Sequence, residues 1–299
     1  MNSRQQHLVR LAVLIGLILF GMSGYVWWTK IYTNPERIFW SAAANNLATT
    51  GVTRSIKDEG NTSTAAPQIT QLQLGGNNIA ITDKAINDGG GNEVSTQTVM
   101  TPQQTYTRIT GIKTSDKSIT EQKLALVVNV WAKSEVAAGQ ISQPFVVAAS
   151  GALPSLPVAN LSPQQRSEIL SDMKTNKVYT VDFAAAKTET HNGRQVRVYD
   201  ITINVEPFVT VLKKLGTMTG TKEYQNVEPR KYQGQTITGM RFAVDSKSRQ
   251  LAYVYDSNNK FRETYSSYGV AVNFALPTQT VPESELQSRF TQLGASSAQ

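Results

Sequence analysis

The chain contains no cysteine and only two histidines, His7 and His191. Without cysteine there are no disulfides, no zinc–cysteine sites, no iron–sulfur clusters and no thiol catalysis. Two histidines leave little neutral-pH acid–base chemistry, because histidine is the side chain that titrates nearest pH 7. Gly-x-Ser-x-Gly, His-Glu-x-x-His, the P-loop and the dinucleotide fingerprint are all missing. Basic runs are missing too: 29 Lys+Arg against 22 Asp+Glu give a net charge of +7, dispersed along the chain. Gripping a nucleic-acid backbone needs a concentrated basic patch, so no nucleic-acid partner is expected. A mild positive charge suits weak contact with anionic lipid headgroups or wall polymers, or solubility alone.

Three matches to catalytic patterns carry little. Ser171 and Lys174 have the Ser-x-x-Lys spacing of acyl-serine enzymes, but the partner patterns Ser-Asp-Asn and Lys-Thr-Gly are absent, and a solvated helix face explains both residues. His191 falls in a hairpin turn. Asp88 and Asn92 flank glycines without the calcium-loop spacing. The sequence therefore gives no catalytic residue, no metal site and no cofactor, and the protein is not expected to be an enzyme.

What the chain does have is an uncharged run, LAVLIGLILFGMSGYVWWT, over residues 11–29. As a helix it measures about 28 Å, close to the hydrocarbon core of a bilayer. A helix buried in a soluble domain would show a polar stripe, and this one has none. Tyr25, Trp27 and Trp28 gather at one end, where amphipathic rings favour the lipid–water interface. A cleaved signal peptide would end in small residues, whereas this run ends in Tyr-Val-Trp-Trp, and no cysteine follows for lipid attachment. The reading is an uncleaved single-pass anchor. Arg4 and Arg10 precede it in a stretch without acids, which puts the N-terminus in the cytoplasm. The expected organisation is a cytoplasmic segment over residues 1–10, the anchor over 11–29, an extracytoplasmic domain over 30–290 and a flexible tail over 291–299.

Beyond the anchor, Asn34-Pro35-Glu36 starts a helix whose apolar residues Ile38, Phe39, Ala42, Ala43 and Leu47 recur at helical spacing. Strands follow over 52–56, 69–74, 78–83, 96–100 and 105–112, rich in Thr, Val and Ile and separated by turn residues. Residues 124–132 alternate with apolar side chains on both sides, which predicts a strand covered on both faces. Residues 139–157 hold Phe145-Val-Val-Ala-Ala149 between prolines and are expected to form a short strand or apolar loop, either buried as a crossover or acting as a flap. Ser162 caps a helix beginning at Pro163. Residues 178–184 and 195–205 are strands around the turn Asn192-Gly193. An amphipathic helix over 206–216 presents Phe208, Val211, Leu212 and Leu215 on one face. Strands are expected over 236–245, 249–257, 260–268 and 270–276, and a last short helix over 284–293. This order means α+β, dominated by an antiparallel sheet large enough to curl.

The order of parts resembles the half-barrel lipoprotein-carrier superfamily, the LolA-like and LppX/LprG-like proteins. The resemblance is carried by the first helix over 35–49, by Tyr179-Thr-Val-Asp-Phe183 and Val198-Tyr-Asp-Ile-Thr-Ile203 leading into Pro207-Phe-Val-Thr-Val-Leu-Lys-Lys-Leu-Gly216, and by the closing stretch Phe242-Ala-Val-Asp245, Gln250-Leu-Ala-Tyr253 and Tyr265-Ser-Ser-Tyr-Gly269-Val-Ala-Val-Asn-Phe-Ala-Leu-Pro277. It covers most of residues 34–290 at the level of topology. It implies a strongly curved antiparallel sheet, a half-barrel, with helices on its concave face and an apolar pocket for acyl chains. No residue motif defines that superfamily, so no site residue is carried over from it. Its members are cleaved or anchored through a cysteine, and this chain offers neither feature, which favours a tethered receiver, chaperone or scaffold.

The expected function is thus a membrane-anchored binding module for a lipid or other apolar ligand. The alternative is a structural or assembly protein of the cell envelope acting through a protein partner. Candidate pocket residues are Leu126, Val128, Val130, Phe145, Tyr179, Val181, Phe183, Met240, Phe242, Leu251 and Tyr253, with residues 145–149 as a gate. The same side chains would equally line a solid core.

Overall fold

The computed structural model describes residues 20, 22–23, 32–60, 66–75, 78–87, 91–137 and 141–295. The anchor expected over 11–29 lies outside them except for Phe20, Met22 and Ser23, and so do Asp88, Gly89 and Gly90 of the glycine turn. Among the described residues no helix is long and apolar enough to cross a membrane.

The first helix, α1 (Pro35–Asn46), starts where proline and the Asn34 cap place it: Asn34 Oδ1 accepts from the Arg37 amide at 2.9 Å. Five strands then run as a meander, β1 (Gly51–Asp58), β2 (Gln68–Gln73), β3 (Ile79–Asn87), β4 (Glu93–Met100) and β5 (Gln104–Lys113). A single helical turn, α2 (Glu121–Leu124), leads to β6 (Ala132–Glu135). Two helices follow, α3 (Gln143–Ser150) and α4 (Pro163–Thr175). The chain returns through β7 (Tyr179–Val181), β8 (Lys187–His191) and β9 (Arg194–Asn204), then the helices α5 (Val205–Thr219) and α6 (Lys222–Gln225). It closes with β10 (Thr236–Asp245), β11 (Leu251–Asp256), β12 (Phe261–Ser266), β13 (Val281–Pro282) and the helix α7 (Glu283–Ala295).

These strands make one open sheet in the order β13-β6-β5-β4-β3-β2-β1-β12-β11-β10-β9-β7, with β8 beside β9. Every pairing is antiparallel except β13 with β6. The two halves of the meander join through β1 and β12, with Arg54 opposite Tyr265 and Ile56 opposite Glu263.

One face of the sheet wraps α1, α4 and α5. Phe39 is wholly buried at the centre, its ring 5.4 Å from Tyr199, 5.8 Å from Tyr179, 5.7 Å from Phe183 and 6.5 Å from Phe242. Ile169 and Met173 of α4, Val211 and Leu215 of α5, and Ile201, Met240, Val244 and Leu251 of the sheet complete this core. Burying each such side chain contributes roughly 1.5–3 kcal/mol, so these helices hold the sheet in its curve. The α4 start is a full capping box: Ser162 accepts from the Gln165 amide, and the Gln165 side chain accepts from the Ser162 amide.

Five expectations need correction. Residues 124–132 are not a strand. Thr120 caps a helical turn, and Asn129 sits at φ +62°, so the extended run is broken: Val128 makes a single bridge to Ile109, and 132–135 pairs as a strand. The apolar residues on both sides are nonetheless used: Val127, Val128 and Val130 pack with Ile109, Leu286 and Leu293, while Trp131 lies against Phe274 on another cluster. Residues 143–150 are a helix rather than a strand or loop, with Pro144 in the first turn and Gly151 as its stop. Residues 270–276 form no strand. They cross the outer face of β3–β5, covering Ile79, Ile81, Val99 and Tyr106 with Val272 and Phe274. The strand expected over 178–184 stops at Val181, because Asp182 accepts from the amides of Ala184 and Ala185, and the chain pairs with β9 a second time as β8. Asn192 and Gly193, at φ +50° and +74°, form the turn of that hairpin. The tail expected from residue 291 is helical as far as Ala295, with Leu293 buried.

Candidate functional site

The helices do not fill the whole concave face. α1 and α5 pack on β9–β11 with α4 between them, whereas among the described residues α3 is the helix that packs most on β2 and β3. Two cavities flank α3, each of a size that holds small ligands.

The first cavity is about 400 Å³. One wall is the outer part of the α5 stripe, Phe208, Leu212, Leu215 and Met218, and the other is Phe145 and Ala149 of α3 with Leu153, Pro154 and Val158 of the following segment. The helix stripe is wider than the core requires. Val211 and Leu215 are buried against the sheet, while Phe208, Leu212 and Met218 remain half-buried and face the gap. Exposed Ser150 and Thr219 lie on its rim.

The floor of this cavity is firmly tied. Asn46 Nδ2 donates to the Leu156 carbonyl at 3.1 Å, Tyr179 Oη to the Ser155 carbonyl at 2.9 Å, and Tyr265 Oη to Ser155 Oγ at 3.1 Å. The amides of Ala159 and Leu161 bond the carbonyls of Asn46 and Leu47. Burial pushes the phenols of Tyr179, Tyr265 and Tyr268 well up, so all three stay neutral donors.

α3 itself is held less firmly. Its cap residue Ser142 makes no capping bond, and its attachments are the Ser142 amide to the Pro102 carbonyl at 2.7 Å, Ser142 Oγ with Thr105 Oγ1 at 2.9 Å, and a long 3.5 Å contact from Arg54 Nη1 to the Ala149 carbonyl. Val147 stands 63% exposed on it.

The second cavity, about 480 Å³, lies between α3 and the inner faces of β1–β4. Its lining sets Ile56, Met100, Val147 and Ala148 beside Thr70, Thr82, Thr96 and Thr98, with Lys84 and the pair Arg54–Glu263. Arg54 Nε lies 3.6 Å from Glu263 Oε1, with the side chains 3% and 0% exposed. That is too long for a hydrogen bond, and both atoms lack a partner. Burial raises the Glu263 carboxyl above the usual carboxylate range, against the pull of Arg54 and the bonds it accepts from the Leu153 region. Gly151 and Ala152 line both cavities.

The candidate residues from the sequence distribute unevenly. Only Phe145 lines the first cavity. Tyr179, Val181, Phe183, Met240, Phe242 and Leu251 come together in the filled core around Phe39. Val128 and Val130 pack on a separate cluster with α7. Leu126 is 55% exposed in the turn after α2. Tyr253 points to the outer face with Val196, Val198 and Ala243, because an irregularity pairs Val244 with Leu251 and Ala243 with Tyr253. There it meets His191 at 5.0 Å and Arg262 at 4.7 Å. The cavity residues of α5 were visible in the sequence as one face of an amphipathic helix. Arg54 and Glu263 carried no sequence signal.

Ser171 and Lys174 lie on the exposed side of α4, Lys174 Nζ standing 5.0 Å over the Trp40 ring. Among the described residues no three of His, Asp and Glu gather as metal ligands.

No family model matches the chain, and no curated protein matches it. Among solved structures it is similar to LprF from Mycobacterium bovis, at 11% identity over 81% of this chain and 96% of that one, with a TM-score of 0.44.

Proposed function

We propose that the protein is a non-enzymatic binding module for a lipid or other apolar ligand, tethered to the cell membrane by residues 11–29 with its sheet domain on the extracytoplasmic side. The observation that carries this reading is the first cavity. A soluble helix normally spends its apolar stripe on the core, yet Phe208, Leu212 and Met218 of α5 face about 400 Å³ of unfilled space. An acyl chain placed there removes its own surface and these side chains from water, at ~25 cal/mol per Å². The resemblance of the sequence to half-barrel lipoprotein carriers agrees with this use. α3 serves as the gate, since it closes one wall of the cavity, lacks a capping bond and exposes Val147.

Extraction of the full-length protein, purified in lipid nanodiscs and separated from bulk lipid, tests the reading. A stoichiometric lipid whose acyl chain is shorter in Leu212→Trp, where the indole takes up part of the cavity, is the expected result. A ligand-free cavity together with a stable protein complex overturns it in favour of an envelope assembly protein. Protease added to membrane vesicles of known sidedness tests the tether: digestion of residues beyond 30 from the extracytoplasmic face alone is expected.

A further inference from the structure

We infer that the surface where α1 begins rests on the anionic phospholipid headgroups of the bilayer that holds the anchor, with Arg37 and Lys174 as its cations and Trp40 as its interfacial ring. The inference rests on the tether proposed above and adds which face of the domain meets the membrane.

The connection is too short to let the domain swing away. The uncharged run ends at Thr29, and Tyr32 is already fastened to the sheet domain. Arg249 Nη2 donates to the Tyr32 carbonyl, and the Arg249 guanidinium lies 4.9 Å over the Tyr32 ring. Three residues reach about 11 Å at most. The start of α1 is tied from within as well, since Tyr199 Oη donates to the Pro35 carbonyl at 2.8 Å. This end of the domain is therefore the part the membrane holds nearest.

The side chains there suit an anionic surface. Glu36, Arg37, Trp40 and Lys174 line a shallow hollow beside the start of α1. Arg37 and Lys174 are exposed, and among the described residues neither pairs with a carboxylate. Glu36 is the acid of the hollow, and its place in the first turn of α1 sets its charge against the positive end of the helix. The connecting residues add Lys30 and no acid. Trp40 is half-buried: its ring meets Phe39 at 5.1 Å, and Lys174 Nζ stands 5.0 Å over it. An amphipathic ring under a long cationic side chain is a pairing that favours the lipid–water boundary.

The test measures reductive methylation of each lysine by mass spectrometry, on the full-length protein in nanodiscs of phosphatidylcholine alone or mixed with phosphatidylglycerol. Lys174 is expected to react at least about fivefold more slowly in the anionic discs, the scale of one cation at an anionic surface. Lys260 serves as the control. It is exposed in the turn after β11, and that strand starts beside Arg249 and carries the chain about 17 Å onward. Its rate should not depend on the lipid. Arg37→Gln, an exposed substitution, should weaken the protection of Lys174, and salt at about 1 M should abolish it. Equal Lys174 rates in the two discs, or a slowing shared by Lys260, overturns the docking face while a disc-bound domain keeps the tether. A protein that leaves the discs with residues 11–29 intact overturns the tether and this inference together. Protection that ignores lipid charge and follows a co-purified protein assigns the face to that partner and overturns the headgroup contact.

Discussion

Arg54 and Glu263 bury opposite charges without the geometry that makes such a pair favourable. Each leaves an atom unbonded, and their closest approach is 3.6 Å. Removing one partner strands the other, and for Arg54→Met the expected loss at neutral pH is about 3 kcal/mol. The sign of its pH dependence follows from Glu263. Burial already holds that carboxyl above its ordinary value, and without Arg54 it rises further. The cost of an ionised Glu263 is fully present above the folded value, and it fades as pH falls through that value toward the unfolded one. Urea melts of R54M should therefore approach those of the parent on acidification, and R54M/E263M should stand near the parent at neutral pH. A deficit that stays constant with pH contradicts this account. Phe39 is the other residue on which much converges. The rings of Tyr179, Phe183, Tyr199 and Phe242 surround it, so Phe39→Ala is expected to cost about 3–5 kcal/mol in the same melts.

At the scale of elements, the two kinds of helix differ in how they are held. α4 has a full capping box and buries Ile169 and Met173 in the core, whereas α3 has no capping bond and exposes Val147. Hydrogen exchange should show it: amides of Val146 to Ala149 exchange at least about tenfold faster than those of Ile169 to Met173, and slow when oleate is added. Equal protection in the ligand-free protein removes α3 as the gate. The sequence displayed α4, α5 and β9–β12 clearly because each combines a periodicity with a boundary signal, as in the helix start Ser162-Pro163 or the turn Asn192-Gly193. It hid α3 because Phe-Val-Val-Ala-Ala is apolar all round and β-branched, so its period cannot be read. It misplaced 124–132 and 270–276 because coverage on two faces looks the same whether the chain extends in a sheet or lies across one. The pocket residues were misjudged for a related reason. Strand alternation identifies which side chains face inward, but whether inward means filled or empty depends on which helix arrives there, and α1 and α5 make their main sheet contacts with β9–β11 while α3 makes its own with β2 and β3.

For the whole molecule, the uneven helix cover makes one sheet do two jobs. The packed core around Phe39 extends from β9–β12 to Val52, Leu72, Ala80 and Met100, and beyond these the β1–β4 half holds open space under α3. Stability and ligand capacity are thereby drawn from different parts of the same sheet, so an emptied cavity need not unfold the protein. A ladder of saturated carboxylates of increasing chain length exposes this division. While the chain is entering the first cavity, each methylene contributes ~0.8 kcal/mol, so affinity should rise by about fourfold per carbon. Once the cavity of about 400 Å³ is full, further carbons meet water or the tied floor at Ser155 and Leu156, and the curve flattens. Leu212→Trp should move that break to a shorter chain without changing the slope before it. A slope that continues unbroken through the longest chains, in parent and variant alike, would mean that the ligand lies on the surface and that the space beneath α3 is not where it binds.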